Sequence, residues 1–225
     1  MARTADYRSA FDVIGPIMVG PSSSHTAGAV RIGSAARTVL GVEPEKIHIS
    51  YYESFAETHL GHGTDLAIIA GLLDFEPEDP RVKTSIDIAK EKGIEIEFVE
   101  ETGTSIGDHP NTALVKLDAG GKHVEVLGNS IGGGTIKLRS IHINGACVVM
   151  NHTLPLLVLY GNSPMSEFND CIAKMYDLGV DINEEIKSSL NDYHIIAIQL
   201  YKPIKEETFE EIKNAYPDID FSNII

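Results

Sequence analysis

The chain has 225 residues, enough for one sizeable hydrophobic core or two smaller ones. Its 43% hydrophobic and 23% charged residues are ordinary for a globular protein, while a formal net charge of −15 argues against a nucleic-acid partner, whose phosphates call for a basic face. No run approaches the roughly 18 apolar residues of a membrane span and the first twenty residues lack a signal-peptide core, so a soluble cytoplasmic chain with neither nucleic acid nor membrane as partner is expected.

In chain order, Ser22-Ser23-Ser24-His25-Thr26 leads into a small-residue helix over Ala27–Leu40, with Gly41 placed to close it. Lys46–Tyr52 alternates, with Ile47, Ile49 and Tyr51 on one face, and predicts a strand. Gly61-His62-Gly63 reads as a loop that opens a second helix over 64–73, capped by Thr64 or Asp65. A third helix is predicted over 80–92, stopped by Gly93, and a strand over 94–98. A hairpin is expected around Ala119-Gly120-Gly121, and another where 135–143 and 146–150 flank Asn144-Gly145. This first part is mixed α+β and not a regular βα alternation.

The style changes near Asn151. An apolar strand over 153–160 precedes a helix opened by Ser163-Pro164, with proline in its first turn, running to Leu178 before Gly179. Strands over 180–188 and 193–202 flank a polar turn, a helix covers 205–215, and a short strand closes the chain at 219–225. The order βαββαβ describes a ferredoxin-like module. The boundary is placed at about 150, giving units 1–150 and 151–225.

Four short constellations could carry chemistry. The hydroxyls and imidazole of Ser22–Thr26 stand at a helix N-terminus, whose dipole and backbone N–H groups suit a carboxylate or phosphate; ordinary capping also explains the serines. Gly61-His62-Gly63-Thr64-Asp65 puts a second histidine at a helix start, between glycines that permit close backbone approach. Asp108-His109-Pro110-Asn111-Thr112 is a polar turn. Gly132-Gly133-Gly134, after Asn129-Ser130, suits an anion nest or a flexible connection. The signatures of nucleotide sites, serine esterases and zinc proteases are absent. No histidine pair shows metal-ligand spacing, and no metal site is expected on this chain. Cys147 and Cys171 lie far apart and read as reduced thiols; two cannot supply the four of a complete iron–sulfur site.

Taken in order, Phe11-Asp12-Val13-Ile14-Gly15-Pro16, Gly20-Pro21-Ser22-Ser23-Ser24-His25-Thr26, Gly61-His62-Gly63-Thr64-Asp65, His109-Pro110-Asn111-Thr112, Ser130-Ile131-Gly132-Gly133-Gly134 and Ile143-Asn144-Gly145 resemble the β subunit of bacterial iron–sulfur L-serine dehydratases, over about residues 8–150. The tail resembles an ACT-type regulatory module. At fold level the first unit is similar to the allosteric substrate-binding domain of some phosphoglycerate dehydrogenases. The resemblance implies a lyase of amino-acid metabolism that converts L-serine to pyruvate and ammonia. It implies a 4Fe–4S cluster held by a partner α chain, with this β chain lending its serine-rich loop to a heterodimeric active site. On that footing His25 is the preferred acid–base residue and His62 the second. Ser22, Ser23, Ser24 and Thr26 would bind the substrate carboxylate, with Gly63, Thr64, Asp65, Asn111, Gly132 and Gly133 as further substrate contacts. A homodimer through either unit is left open, as is a setting in gluconeogenesis or in catabolism. ACT-type modules often carry glycine after the proline of the first turn; Gly161-Asn162-Ser163-Pro164-Met165 has methionine there, which puts amino-acid binding at that turn in doubt. Two rivals stand beside this reading: a non-catalytic small-molecule sensor with an ACT-type tail, and a hydro-lyase acting on another small hydroxy or thiol amino acid.

Overall fold

Helix α1 (Ala27–Leu40) forms where the sequence predicts it and ends on left-handed Gly41, whose N–H bonds to Arg37 O at 2.9 Å. The structure is a computed structural model that describes Ser22 and residues 25–225. Strand β1 (Lys46–Tyr52) runs directly into α2 (Glu53–His62), which turns at left-handed Gly63 into α3 (Thr64–Leu72). The predicted loop at 61–63 is therefore the last turn of a helix and its cap. Helix α2 escapes sequence reading because no connecting residue separates it from β1, because its buried residues are only Phe55 and His59, and because its last turn contains Gly61. The helix predicted over 80–92 divides into a 3₁₀ turn, Pro80–Thr84, and α4 (Ser85–Glu91). Asp79 caps the first turn by accepting from Arg81 N at 2.8 Å.

Strands β2 (Glu95–Glu100), β3 (Thr112–Ala119), β4 (Lys122–Gly132), β5 (Thr135–Ile143) and β6 (Ala146–Thr153) complete a six-stranded sheet of order β2-β1-β3-β4-β5-β6, in which β1 and β2 alone are parallel. Both predicted hairpins are present, with positive φ at Gly120 and Gly121 and at Asn144 and Gly145, as two-residue turns of this hand require. Helices α1 and α3 lie against each other, and α1 packs on β3, β4 and β5. The inward rows are Ile47, Ile49 and Tyr51 on β1 and Val115 and Leu117 on β3, with Val124 and Val126 on β4, all at most 2% exposed. The helices cross without spacer side chains. A Cβ on Gly71 would lie 2.0 Å from Val30 O, and one on Gly33 would lie 2.2 Å from Ile68 O.

The second sheet has order β10-β7-β9-β8 and is antiparallel throughout, from β7 (Leu156–Gly161), β8 (Ile182–Leu190), β9 (Tyr193–Leu200) and β10 (Asp220–Ile224). Helices α5 (Met165–Asp177) and α6 (Glu206–Ala215) complete the order βαββαβ. Pro164 stands at the N-cap of α5, one place before the predicted first-turn position. Strand β7 is wholly apolar because both its faces are covered. Leu156, Val158 and Tyr160 join the main core, together with Ile195, Ala197 and Ile224. Leu157 and Leu159 face Phe168, Cys171, Met175 and Ile212 instead. The molecule is thus mixed α+β with two sheets and six α-helices among the described residues.

The two sheets also meet at the end of α1. Lys122 Nζ donates to Val39 O (2.7 Å), Leu40 O (3.0 Å) and Tyr160 Oη (2.8 Å). Ser222 Oγ donates to Thr38 O at 3.1 Å. These bonds satisfy carbonyls that a helix C-terminus leaves open and tie them to β7 and β10.

Candidate functional site

The motifs singled out in the sequence gather at one end of the six-stranded sheet. Tyr52 at the end of β1 faces Thr112 at the start of β3, and Thr112 faces Asn129 near the end of β4. Helix α1 begins over this end of the sheet: a Cβ on Gly28 would lie 1.9 Å from Ser130 Oγ, so only glycine lets the first turn settle on β4. The first turn thereby brings His25 to the sheet end where α2 also finishes.

His25 and His62 stand edge to face with ring centroids 4.6 Å apart, and Phe55 lies 5.2 Å from His25 on another side. His25 is buried, and Ser22 Oγ lies 3.1 Å from its Nδ1. Burial, and secondarily the adjacent His62, hold the His25 imidazole below its ordinary pKa, so its neutral form prevails near neutral pH. A neutral imidazole at the positive end of a helix can take a proton from a substrate that carries its negative charge toward the helix.

The capping expected of the hydroxyls differs in detail. Thr26 occupies the N-cap of α1 without a side-chain cap bond; Ser22 serves the turn instead, its carbonyl accepting from Thr26 N at 2.8 Å. Ser23 and Ser24 lie outside the described residues. Gly63, not Thr64 or Asp65, occupies the N-cap of α3. Thr64 is fully buried, and Asp65 turns back to His59. A Cβ added at Gly61 would meet nothing within 4 Å, so the close backbone approach expected of it does not occur within the chain.

Asn111 lies beside the same end of the sheet. Its N–H donates to His109 Nδ1 (3.1 Å), and its carbonyl accepts from Ser130 N (2.9 Å). Asn129 Nδ2 donates to Gly107 O at 2.7 Å, and Thr112 Oγ1 lies 2.8 Å from Asn129 Oδ1. Gly132, Gly133 and Gly134 form the β4–β5 hairpin turn with φ of 106°, 60° and 81°, values that favour glycine at all three positions. His62 Nδ1, Thr64 Oγ1, Asn111 Oδ1 and Ser130 Oγ are buried atoms with no hydrogen-bond partner among the described residues. Four such atoms at one end of a sheet are what a site that completes itself with a ligand or a second chain would leave.

Sequence reasoning missed His59 and Glu100, and it named Thr112 and Asn129 only as members of their motifs, without the bond between them. His59 is buried on α2 with Nδ1 2.7 Å from Asp65 Oδ1 and Nε2 2.9 Å from Glu100 Oε1, and its ring stacks on Tyr51 at 4.8 Å. Burial pulls its pKa down, but the bonds to Glu100 and Asp65 outweigh that and the net displacement is upward. Burial, with Asp65 beside it, pushes the Tyr51 phenol well above its usual range. The only sequence signal for His59 was its position three residues before His62.

The family model for the serine dehydratase beta chain matches residues 9–140, which span α1 through most of β5 and every constellation above. The chain belongs to the serine dehydratase beta chain family. Among its relatives, the probable L-serine dehydratase beta chain of Bacillus subtilis (strain 168) is 42% identical over 209 residues, covering 92% of this chain and 93% of that protein. The L-serine dehydratase beta chain of Peptoniphilus asaccharolyticus is 35% identical over 206 residues, covering 89% and 90%. An L-serine dehydratase of Haemophilus influenzae is 32% identical over 122 residues, which are 52% of this chain but 23% of that longer protein. In this serine dehydratase beta chain family member, the matched span ends before the second sheet begins, while the two beta-chain relatives align with about nine tenths of the chain and so reach into it.

Proposed function

We propose that this chain is the β subunit of an L-serine dehydratase, a lyase that turns L-serine into pyruvate and ammonia together with an α subunit. The observation that carries the reading is the His25–His62 pair at the head of α1, one imidazole held neutral, inside the span that the family shares. A base takes the Cα proton of serine, and the β-hydroxyl leaves with its bonding electrons and a proton as water. The aminoacrylate that remains tautomerises to an imine and hydrolyses. His25 fits the role of base, with His62 beside it to accept or return a proton. The head of α1, with Ser22, Ser23, Ser24 and Thr26, would hold the substrate carboxylate. Gly63, Thr64, Asp65, Asn111, Gly132 and Gly133 would shape the surrounding wall.

The 4Fe–4S cluster implied by the resemblance belongs to the partner. Among the described residues no three His, Cys, Asp or Glu side chains converge to hold a metal ion. Cys171 is buried on α5 with its thiol pushed up to about 12, and Cys147 lies away from it on β6 with its thiol also raised. These residues do not fit a cluster, and the steps assigned to this chain do not pass through one.

The second sheet is read as a ferredoxin-like, ACT-type module over 151–225, following a first unit over 1–150 that is similar to the substrate-binding domain of some phosphoglycerate dehydrogenases. The βαββαβ order and the sheet order support this. Met165, half-buried at the start of α5, packs against the second core, and Ser163 Oγ donates to Asp218 O, which favours a contact role over amino-acid binding at that turn. The two subunits are read as a cytoplasmic heterodimer. No helix among the described residues is long and apolar enough to cross a membrane.

Anaerobic pyruvate formation from L-serine, with this chain alone and mixed with its α partner, tests the proposal. Activity confined to the mixture, and lost with His25→Ala, is the expected result. Pyruvate from the isolated chain, or an inactive mixture whose cluster is spectroscopically intact, overturns it in favour of a sensor or a different substrate.

A further inference from the structure

We infer that His59, held between Asp65 and Glu100, is a positioning residue that sets where His62 stands beside His25. The inference rests on the dehydratase reading and names the parts that hold the second histidine of its site.

His59 and His62 are three residues apart on the last turn of α2 and so share a side of the helix. Asp65 lies beyond Gly63, on the first turn of α3. The His59–Asp65 bond therefore bridges the corner in which His62 sits. The other ring nitrogen reaches Glu100 at the end of β2, and the ring face rests on Tyr51 of β1. The corner is thus tied to α3, β2 and β1 through one side chain. His62 has no comparable ties: its Nδ1 is unpartnered among the described residues, and its ring meets that of His25. Its placement must come from the backbone that carries it.

The chemistry of the bridge supports a fixed role. A neutral imidazole has one N–H, yet both nitrogens of His59 approach carboxylate oxygens, at 2.7 and 2.9 Å. The doubly protonated ring satisfies both at once. Glutamine can serve one carboxylate at most in this geometry, and leucine neither. An error of about 1 Å in a catalytic group can cost about 100-fold in rate, so a loosened corner is visible in turnover long before the fold is lost.

The test uses His59→Gln and Glu100→Gln. The Glu100 side chain is largely exposed, so its isosteric variant keeps the test open where His59→Gln does not fold. The control is Lys46→Gln, which breaks the Lys46–Glu95 pair at the opposite ends of β1 and β2. In the isolated, isotope-labelled chain, both variants should shift the ring resonances of His25 and His62, which lie in each other's ring currents, while the control leaves them in place. In the mixture with the α chain, His59→Gln should lower kcat for L-serine about tenfold or more with KM within about twofold. Unshifted His25 and His62 resonances in a folded variant, or a wild-type kcat, refute the positioning role. If the wild-type mixture makes no pyruvate, the dehydratase reading fails, and the resonances alone decide this inference.

Discussion

Replacing Gly71 by alanine drives a methyl group into the backbone of the opposing helix. The new Cβ would stand 2.0 Å from Val30 O, 2.7 Å from Ser34 N and 2.9 Å from Val30 C. Carbon meets other heavy atoms comfortably near 3.5 Å, so the overlap with Val30 O is about 1.5 Å. No rotamer relieves it, because every atom struck belongs to main chain. Helices α1 and α3 must part by about an ångström, and a gap of that size forfeits up to half of each dispersion contact along the seam. The seam includes Val30, Ile68 and Leu72, all at most 2% exposed. Alanine's helix propensity returns only about 1 kcal/mol. A net loss at or above the top of the overpacking range, about 3 kcal/mol, is expected. For a chain of this size that lowers Tm by about 6–12 °C. Thermal unfolding of the purified chain followed by circular dichroism provides the assay. A Tm within about 2 °C of the parent would show that the helices do not touch backbone to backbone. Turnover with the α subunit should fall as well, because α1 and the α2–α3 corner carry the site's two histidines.

Other outcomes follow from single contacts. Gly61→Ala, at a helical position where the new Cβ meets nothing within the chain, should raise stability by about 0.5–1 kcal/mol, read as a higher Tm. Lys122→Met removes the donor shared by Val39 O, Leu40 O and Tyr160 Oη and should cost about 1–3 kcal/mol in urea unfolding. Histidine NMR titrations should place His25 below and His59 above the ordinary imidazole pKa of about 6.5, and the two act oppositely on stability. The His25 contribution is present above that value and lost as pH falls through its lowered pKa. The His59 contribution is full below it and lost as pH rises through its raised pKa, so variants at the two positions should flatten opposite limbs of the stability–pH curve. Cys171, buried and with its thiol at about 12, should resist alkylation in the folded chain and react promptly in denaturant.

Helix α1, strand β1, both two-residue hairpin turns and the βαββαβ tail were legible because each rests on a local rule: glycine past a helix end, alternation, or Asn-Gly and Gly-Gly between strands. Helix α2 was not, since its start is a turn directly off β1 at Glu53, which adopts φ 44°, and its amphipathic signal is weak. Of the site, the motifs at His25 and His62 were legible as histidines beside helix starts, but their contact was not, because it depends on the crossing of α1 and α3 at Gly33 and Gly71. His59 was invisible for a related reason. Its partners are 6 and 41 residues away, and nothing local distinguishes it from a surface histidine.

Helix α1 is also a gauge of fixed length. Its last carbonyls are gripped by Lys122 and Ser222, and its first turn sits on Ser130 and presents His25. Fourteen residues at about 1.5 Å each set the distance between those two fixtures at about 21 Å. Inserting or deleting a single residue between them would swing His25 through about 100° around the helix axis while the anchored end stayed put. Composition along α1 can drift wherever packing tolerates it, but its residue count cannot, and a change of one should be harder to accept there than a much longer insertion in the exposed turn at Gly120-Gly121.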